Sequence, residues 1–162
     1  MVDIVDRKTR SRMMSGIRGK DTRPEMLIRK GLHARGFRYR LHDNTLLGRP
    51  DMVFGGRSAV IFVNGCFWHG HDCHLFKWPT SRAEFWRQKI LRNREKDAET
   101  ARALSTNGWR ILTIWECALK GRTRLPVNDV IARAAEWLKG GNECCEITGF
   151  RDKSDRGTGS VN

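Results

Sequence analysis

Leu46-Leu47-Gly48-Arg49-Pro50-Asp51-Met52-Val53-Phe54-Gly55-Gly56-Arg57-Ser58-Ala59-Val60-Ile61-Phe62-Val63 is the stretch that decides the fold. Gly48 and Pro50 mark a turn, and residues 51–54 read as a strand leaving it. Gly55-Gly56 supplies a tight turn. Residues 59–63 contain no polar side chain, so they read as a strand buried on both faces and as the centre of a sheet. Working toward the N-terminus, Phe37-Arg38-Tyr39-Arg40-Leu41 alternates apolar and basic residues, the pattern of a strand with one buried face. Ahead of it, Thr22-Arg23-Pro24-Glu25 is a capping box with proline in the first turn. Leu27, Ile28 and Leu32 follow at helical spacing, and Gly36 ends the helix. Toward the C-terminus, Thr80 or Ser81 is placed to cap a long helix over 82–106, stopped by Asn107-Gly108. Residues 109–115 form a further strand that delivers Glu116 and Cys117, and 127–139 carry the apolar stripe Val130, Ile131, Ala134, Trp137 and Leu138 of a last helix. The order predicts an α/β fold, a mixed central sheet flanked by helices.

The 162 residues suffice for one domain with its own core. Residues 21–150 are expected to form it. Residues 1–20, with six basic and two acidic side chains and the pair Met13-Met14, read as a basic arm, and the polar, glycine-rich 151–162 as a disordered tail. Lys and Arg total 31 against 18 Asp and Glu, a formal charge of +13, which points to a polyanionic partner. Arginine outnumbers lysine 22 to 9, and its planar fork suits phosphate and guanine edges, favouring nucleic acid over a membrane surface. There is no apolar run long enough to span a bilayer and no hydrophobic segment behind the charged N-terminus, so a soluble, cytoplasmic protein is expected.

The five cysteines are odd in number, and Cys144-Cys145 are adjacent, an unfavourable spacing for a disulfide. Cys66-Phe67-Trp68-His69-Gly70-His71-Asp72-Cys73 instead concentrates soft ligands beside large aromatics. In a reducing compartment such a cluster favours metal. Cys66, His71 and Cys73, completed by Cys117 at the end of the 109–115 strand, would give a four-ligand structural zinc site. His69 and His74 compete with His71 for the fourth position, and buried apolar thiols are the alternative to any metal. A closed zinc site has no open position for substrate, so the role expected of it is to hold the aromatic tip.

Phosphodiester cleavage commonly uses a carboxylate-held Mg²⁺. Gly48-Arg49-Pro50-Asp51, with a short strand, a glycine turn and 59–63 behind it, matches the first half of the PD-(D/E)xK nuclease pattern. The second half is missing, because 59–63 holds neither acid nor lysine. The whole arrangement resembles the very-short-patch repair (Vsr) mismatch endonucleases, a branch of that superfamily without the lysine. The matching text includes Thr9-Arg10-Ser11 with Met14, Asp21-Thr22 with Glu25, 47–51, Gly65-Cys66-Phe67-Trp68-His69, His71 with Cys73, Glu84-Phe85-Trp86, Gly108-Trp109-Arg110 and Trp115-Glu116-Cys117-Ala118-Leu119, spread over roughly residues 7–140.

The resemblance implies a restriction-endonuclease-like fold with a structural zinc loop, and an Mg-dependent enzyme that nicks DNA 5′ of the thymine in a T:G mismatch left by deamination of 5-methylcytosine. Carried over by position, Asp51 would hold Mg²⁺ with the Val63 carbonyl. His69 would be the general base and Glu25 would order the metal's water. Phe67, Trp68 and Trp86 would intercalate from the major groove and Met14 from the minor groove, while Lys89 and Asn93, one turn apart, are candidate base-edge contacts. Glu25 as a plain capping acid and Trp86 as part of a core face with Phe85, Ile90 and Leu91 are the competing readings. The resemblance also implies a monomer, association with the nucleoid on DNA, and coupling to a cytosine-5 methyltransferase and mismatch-repair proteins. Val63-Asn64 departs from the Thr-His expected before Gly65-Cys66. That departure leaves open a related Mg-dependent nickase with sequence rather than mismatch specificity; a zinc-stabilised DNA-binding module without activity is a third reading, against which the intact Glu25, Asp51 and His69 argue.

Overall fold

A computed structural model describes residues 6–8 and 21–151; most of the expected arm, with Met14, and nearly all of the expected tail lie outside them. Five strands, β1 (Arg40–Leu41), β2 (Met52–Phe54), β3 (Ala59–Asn64), β4 (Arg110–Trp115) and β5 (Cys144–Ile147), form one sheet in sequence order. The first three are antiparallel neighbours, whereas β3, β4 and β5 are parallel. Parallel strands need crossovers. The helix Ala83–Thr106 connects β3 to β4, and Val127–Gly140 connects β4 to β5; with Arg23–Ala34 ahead of the sheet these are α2, α3 and α1 respectively.

The sheet is covered on both faces, as the apolar reading of β3 requires. Ile28 and Leu32 of α1 and Val130, Ile131, Ala134 and Leu138 of α3 pack with Met52, Phe54, Ile61, Leu112 and Ile114 on one side. Val53, Val60 and Ile111 face Leu104 of α2 on the other. The helices α1 and α3 approach so closely that a Cβ on Gly31 would lie 2.2 Å from Ile131 Cδ1. Arg110 donates to the carbonyls of Trp137 (2.8 Å) and Leu138 (3.0 Å), placing a cation at the C-terminal end of α3 where the helix dipole favours it.

Two expectations about elements are corrected, one turn is refined and one strand is new. The 37–41 strand shrinks to Arg40–Leu41, both exposed, because Phe37 turns into the core and the Tyr39 hydroxyl donates to Arg29 O at 2.7 Å. Neither Thr80 nor Ser81 caps α2; Arg82 stands at its N-cap with φ 54° and no side-chain cap bond. Gly55-Gly56 lies in a 3-10 turn, Gly55–Arg57, whose left-handed residue is Ser58. The edge strand Cys144–Ile147 was not anticipated, since its alternation of exposed and covered side chains spans only four residues and ends on a single strongly apolar one, the buried Ile147.

Pairing at one end of this sheet sets up the chemistry. Asn64 of β3 pairs with Trp115 of β4 in parallel register, so Cys66 and Cys117 each stand two residues beyond a matched pair. Met52 pairs with Ile61 in the antiparallel direction, which brings Asp51 back to the same end, beside Val63. In open α/β sheets the crevice beyond the carboxyl ends of the parallel strands is the usual ligand site.

Candidate active site and metal centre

Cys66, His71, Cys73 and Cys117 bring their ligand atoms within 4.8 Å of one another. A tetrahedron with zinc bond lengths has edges of about 3.5–3.8 Å, and Cys117 Sγ lies 3.7 Å from His71 Nδ1. Cys66 and Cys117 are buried, and main-chain amides aim at both sulfurs: Cys117 N–H donates to Cys66 Sγ (3.3 Å) and Gly149 N–H to Cys117 Sγ (3.4 Å). The Cys66 thiol beside it holds Cys117 down to about 4, with His71 and the Gly149 amide adding to the effect. Sharing that proton, and its own burial, push Cys66 up. A thiolate already favoured among four converging soft donors is what a zinc ion needs. His71 is fixed by stacking on Trp115, centroids 4.1 Å apart at 11°. The competitors stand outside the cluster, with His74 Nδ1 3.4 Å from Thr123 Oγ1 and His69 turned to Asp97.

Phe67, Trp68 and His69 of the same loop line a cleft of about 1400 Å³ together with Asp51, Val63, Asn64 and Asp97, among others. Asp51 Oδ2 accepts the Val63 N–H at 2.6 Å. Burial drives the Asp51 carboxyl up to about 6 against that hydrogen bond, and the nearby Glu25 carboxylate adds to the rise. Buried negative charge of this kind fits a hard divalent cation with oxygen ligands. His69 Nδ1 pairs with Asp97 Oδ2 at 2.6 Å, which makes Nδ1 the donor and leaves Nε2 of the neutral ring with its lone pair. Sequence reasoning missed Asp97. Its spacing of four from Asn93 and eight from Lys89 on α2 was the available signal.

Glu25 is 2% exposed and behaves unlike a capping acid. Thr22 Oγ1 accepts the Glu25 N–H at 3.4 Å, but the Glu25 carboxylate goes to Arg29 (2.5 Å) and His42 (3.1 Å). Half of the capping box is therefore present, and its acid is spent on a partly buried charged network that also includes the exposed Asp21. That network was not foreseen, because His42 and Glu25 meet only once β1 folds beside α1.

Trp86 settles away from the core. Ile90 is fully buried, but Phe85 and Leu91 are 43% and 45% exposed, and Trp86 packs on Phe67 and Trp68 with centroids 5.4 and 5.9 Å apart. Lys89 Nζ lies 5.5–5.8 Å above Trp68, Phe85 and Trp86. Asn93 uses its amide nitrogen to hold the Trp68 carbonyl at 2.8 Å, and Arg94 holds the Gly70 carbonyl. The tip is thus fastened from behind by α2 and from below by the Cys/His cluster.

Such a cleft, acidic at its base and walled by aromatics and cations, is built for a phosphodiester, and the protein's relatives are DNA-cleaving endonucleases. The DNA mismatch endonuclease Vsr of Escherichia coli is 42% identical over 147 residues, 91% of this chain and 94% of its own. The type II nicking enzyme V.XorIIP of Xanthomonas oryzae is 44% identical over 119 residues, 74% of this chain and 88% of its own. V.NmeAIP, a type II nicking enzyme of Neisseria meningitidis, is 41% identical over 122 residues, 75% and 87%. The family described as DNA mismatch endonuclease Vsr matches residues 2–75. The chain belongs to this Vsr family. No described helix is long and apolar enough to cross a membrane.

Proposed function

We propose that this endonuclease nicks duplex DNA 5′ of the thymine in T:G mismatches and so opens the repair of deaminated 5-methylcytosine. The observation that carries the reading is the fastened trio Phe67, Trp68 and Trp86 at the mouth of the cleft that holds Asp51 and His69. A mismatch is where bases separate at least cost, so a rigid aromatic wedge beside the chemistry converts weak pairing into selectivity. Residues 21–150 would form the nuclease domain, working as a monomer, since Asp51, His69 and Asp97 of a single chain line one cleft. Met14 of the arm 1–20 would reach the opposite groove.

Asp51, with the Val63 carbonyl, would hold Mg²⁺, which lowers the pKa of a bound water and draws charge from the phosphoryl oxygens. His69 Nε2 would take the water's proton, with Asp97 keeping the ring in the required tautomer. Glu25, held by Arg29 and His42, would accept hydrogen bonds from water around the cation. Lys89 and the free carbonyl oxygen of Asn93 would face the base edges. Cys66, His71, Cys73 and Cys117 would hold zinc with no part in the cleavage. Action in the cytoplasm on nucleoid DNA, coupled to a cytosine-5 methyltransferase and mismatch-repair proteins, follows from the same lesion.

The type II nicking enzyme names of several relatives favour a second reading, a Mg-dependent nickase specific for sequence rather than mismatch. End-labelled duplexes carrying T:G, T:A or C:G at one position, with Mg²⁺ or EDTA, separate the two. Nicking of the T strand in T:G alone, abolished by EDTA, is the expected result. Equal nicking of T:A would establish the second reading, and binding without any nicking would exclude both.

A further inference from the structure

We propose that Arg49 is a catalytic residue: its guanidinium binds the scissile phosphate and neutralises the charge that grows on the phosphoryl oxygens. The inference rests on the reading of Asp51 as the cation-holding carboxylate two residues away.

Charge in the cleft favours such a group beside the cation at Asp51. Asp51, Asp97 and Glu116 line it, and a phosphodiester brings a further negative charge. No cation stands on β3, whose residues are Ala59–Asn64. The lysine and arginine side chains lining the cleft are Lys120 and Arg49, and Lys120 faces Glu116 at 4.0 Å. Arg49 is exposed, with no hydrogen bond or ion pair to its side chain among the described residues.

Backbone conformation points the same way. Gly48 and Arg49 are consecutive left-handed residues, φ 78° and 49°, a conformation disfavoured for a residue with a Cβ. The turn is prevented from relaxing. Arg49 N–H donates to Leu46 O at 3.2 Å, Pro50 is buried, and a Cβ on Gly48 would meet Thr100 Cγ2 of α2 at 2.3 Å. Of the five non-glycine residues with positive φ among the described residues, His42 and Arg49 line this cleft, and strain of this kind concentrates where side-chain placement matters to function. Glycine at 49 would relieve the strain, yet an arginine stands there.

In the step itself the water oxygen bonds to phosphorus as one phosphorus–ester oxygen bond breaks. The water's proton goes to His69, the departing ester oxygen takes a proton from solvent, and Arg49 keeps its own protons throughout. Its donors meet oxygens whose charge is greatest in the transition state, so the contribution falls on the rate more than on binding.

The test compares wild type, Arg49→Gly, Arg49→Lys and Asp51→Ala in single-turnover nicking at saturating DNA, on whichever duplex the wild type nicks. Arg49→Gly suits the backbone, so the fold is kept. Its rate is expected to fall about 100-fold, the loss typical of removing one such donor, with affinity little changed. Added guanidinium, below concentrations that unfold the protein, should restore part of the rate to Arg49→Gly and none to Asp51→Ala, and Arg49→Lys should fall between glycine and wild type. An Arg49→Gly rate near wild type, a loss confined to affinity, or a loss that neither guanidinium nor lysine recovers overturns the proposal. Full nicking by Asp51→Ala would instead remove Asp51 from the cation site, a separate failure visible in the same assay.

Discussion

Asp51→Ala is expected to abolish nicking, by about 1000-fold or more, because the several kcal/mol of charge stabilisation from a bound cation disappear with its ligand. Affinity for duplex DNA should remain close to wild type, since the aromatic tip and the basic surface are untouched; filter binding beside single-turnover cleavage reads both. Stability should move in the opposite direction. In the cation-free protein burial holds Asp51 near 6 against an ordinary 3.8, so the folded state binds the extra proton between those values. The sign follows from linkage: stability falls as pH rises from about 4 to 6, and above that range the buried carboxylate costs about 3 kcal/mol, as an order of magnitude. Asp51→Asn can still accept the Val63 N–H without carrying the charge. Its melting temperature without divalent cations should therefore exceed wild type at pH 8 and converge with it near pH 4. An unchanged difference across that range would mean that Asp51 is not held as a buried, destabilising carboxylate.

Cys117→Ser is the second large effect. Zinc content should fall from one per chain toward zero, since three ligands remain and the Gly149 amide now faces an oxygen. The cluster ties the ends of β3 and β4 together beneath Trp115, so its loss should cost on the order of several kcal/mol and lower the melting temperature by roughly 10 °C. Nicking would decline with it, because Phe67, Trp68 and His69 lose their anchor. A variant that keeps full zinc refutes the four-ligand set.

The parts of the fold legible in the sequence were those with strong local signals. Thr22 with Pro24 starts α1, the unbroken apolar run 59–63 becomes a strand covered on both faces, and the stripe Val130 to Leu138 becomes the inner face of α3. The misses are places where local pattern and tertiary demand part company. Phe37 and Tyr39 alternate like strand residues but are drawn under α1, and Cys144–Ile147 pairs with β4 through its backbone while Ile147 alone of its side chains is buried in the core.

The site divides in the same way. Cys66, His71 and Cys73 are close in sequence, and Cys117 was reachable because it ends a strand. The partners of His69 and Glu25 were not reachable, since Asp97 comes 28 residues later on α2 and His42 comes from the edge of the sheet. Residue types alone also could not assign the carboxylate of Glu25, whose capping position is real but whose side chain serves the charged network.

The central claim is a division of labour, in which zinc holds the tip and a separate, exchangeable cation at Asp51 serves the cleavage. Metal analysis of the purified protein before and after brief EDTA treatment, followed by nicking assays with Mg²⁺ or Zn²⁺ added back, tests it most directly. One tightly held zinc that survives the treatment, nicking lost on chelation, and full recovery with Mg²⁺ alone are the expected results. Nicking that follows the zinc content, or that returns with Zn²⁺ and not with Mg²⁺, would contradict it.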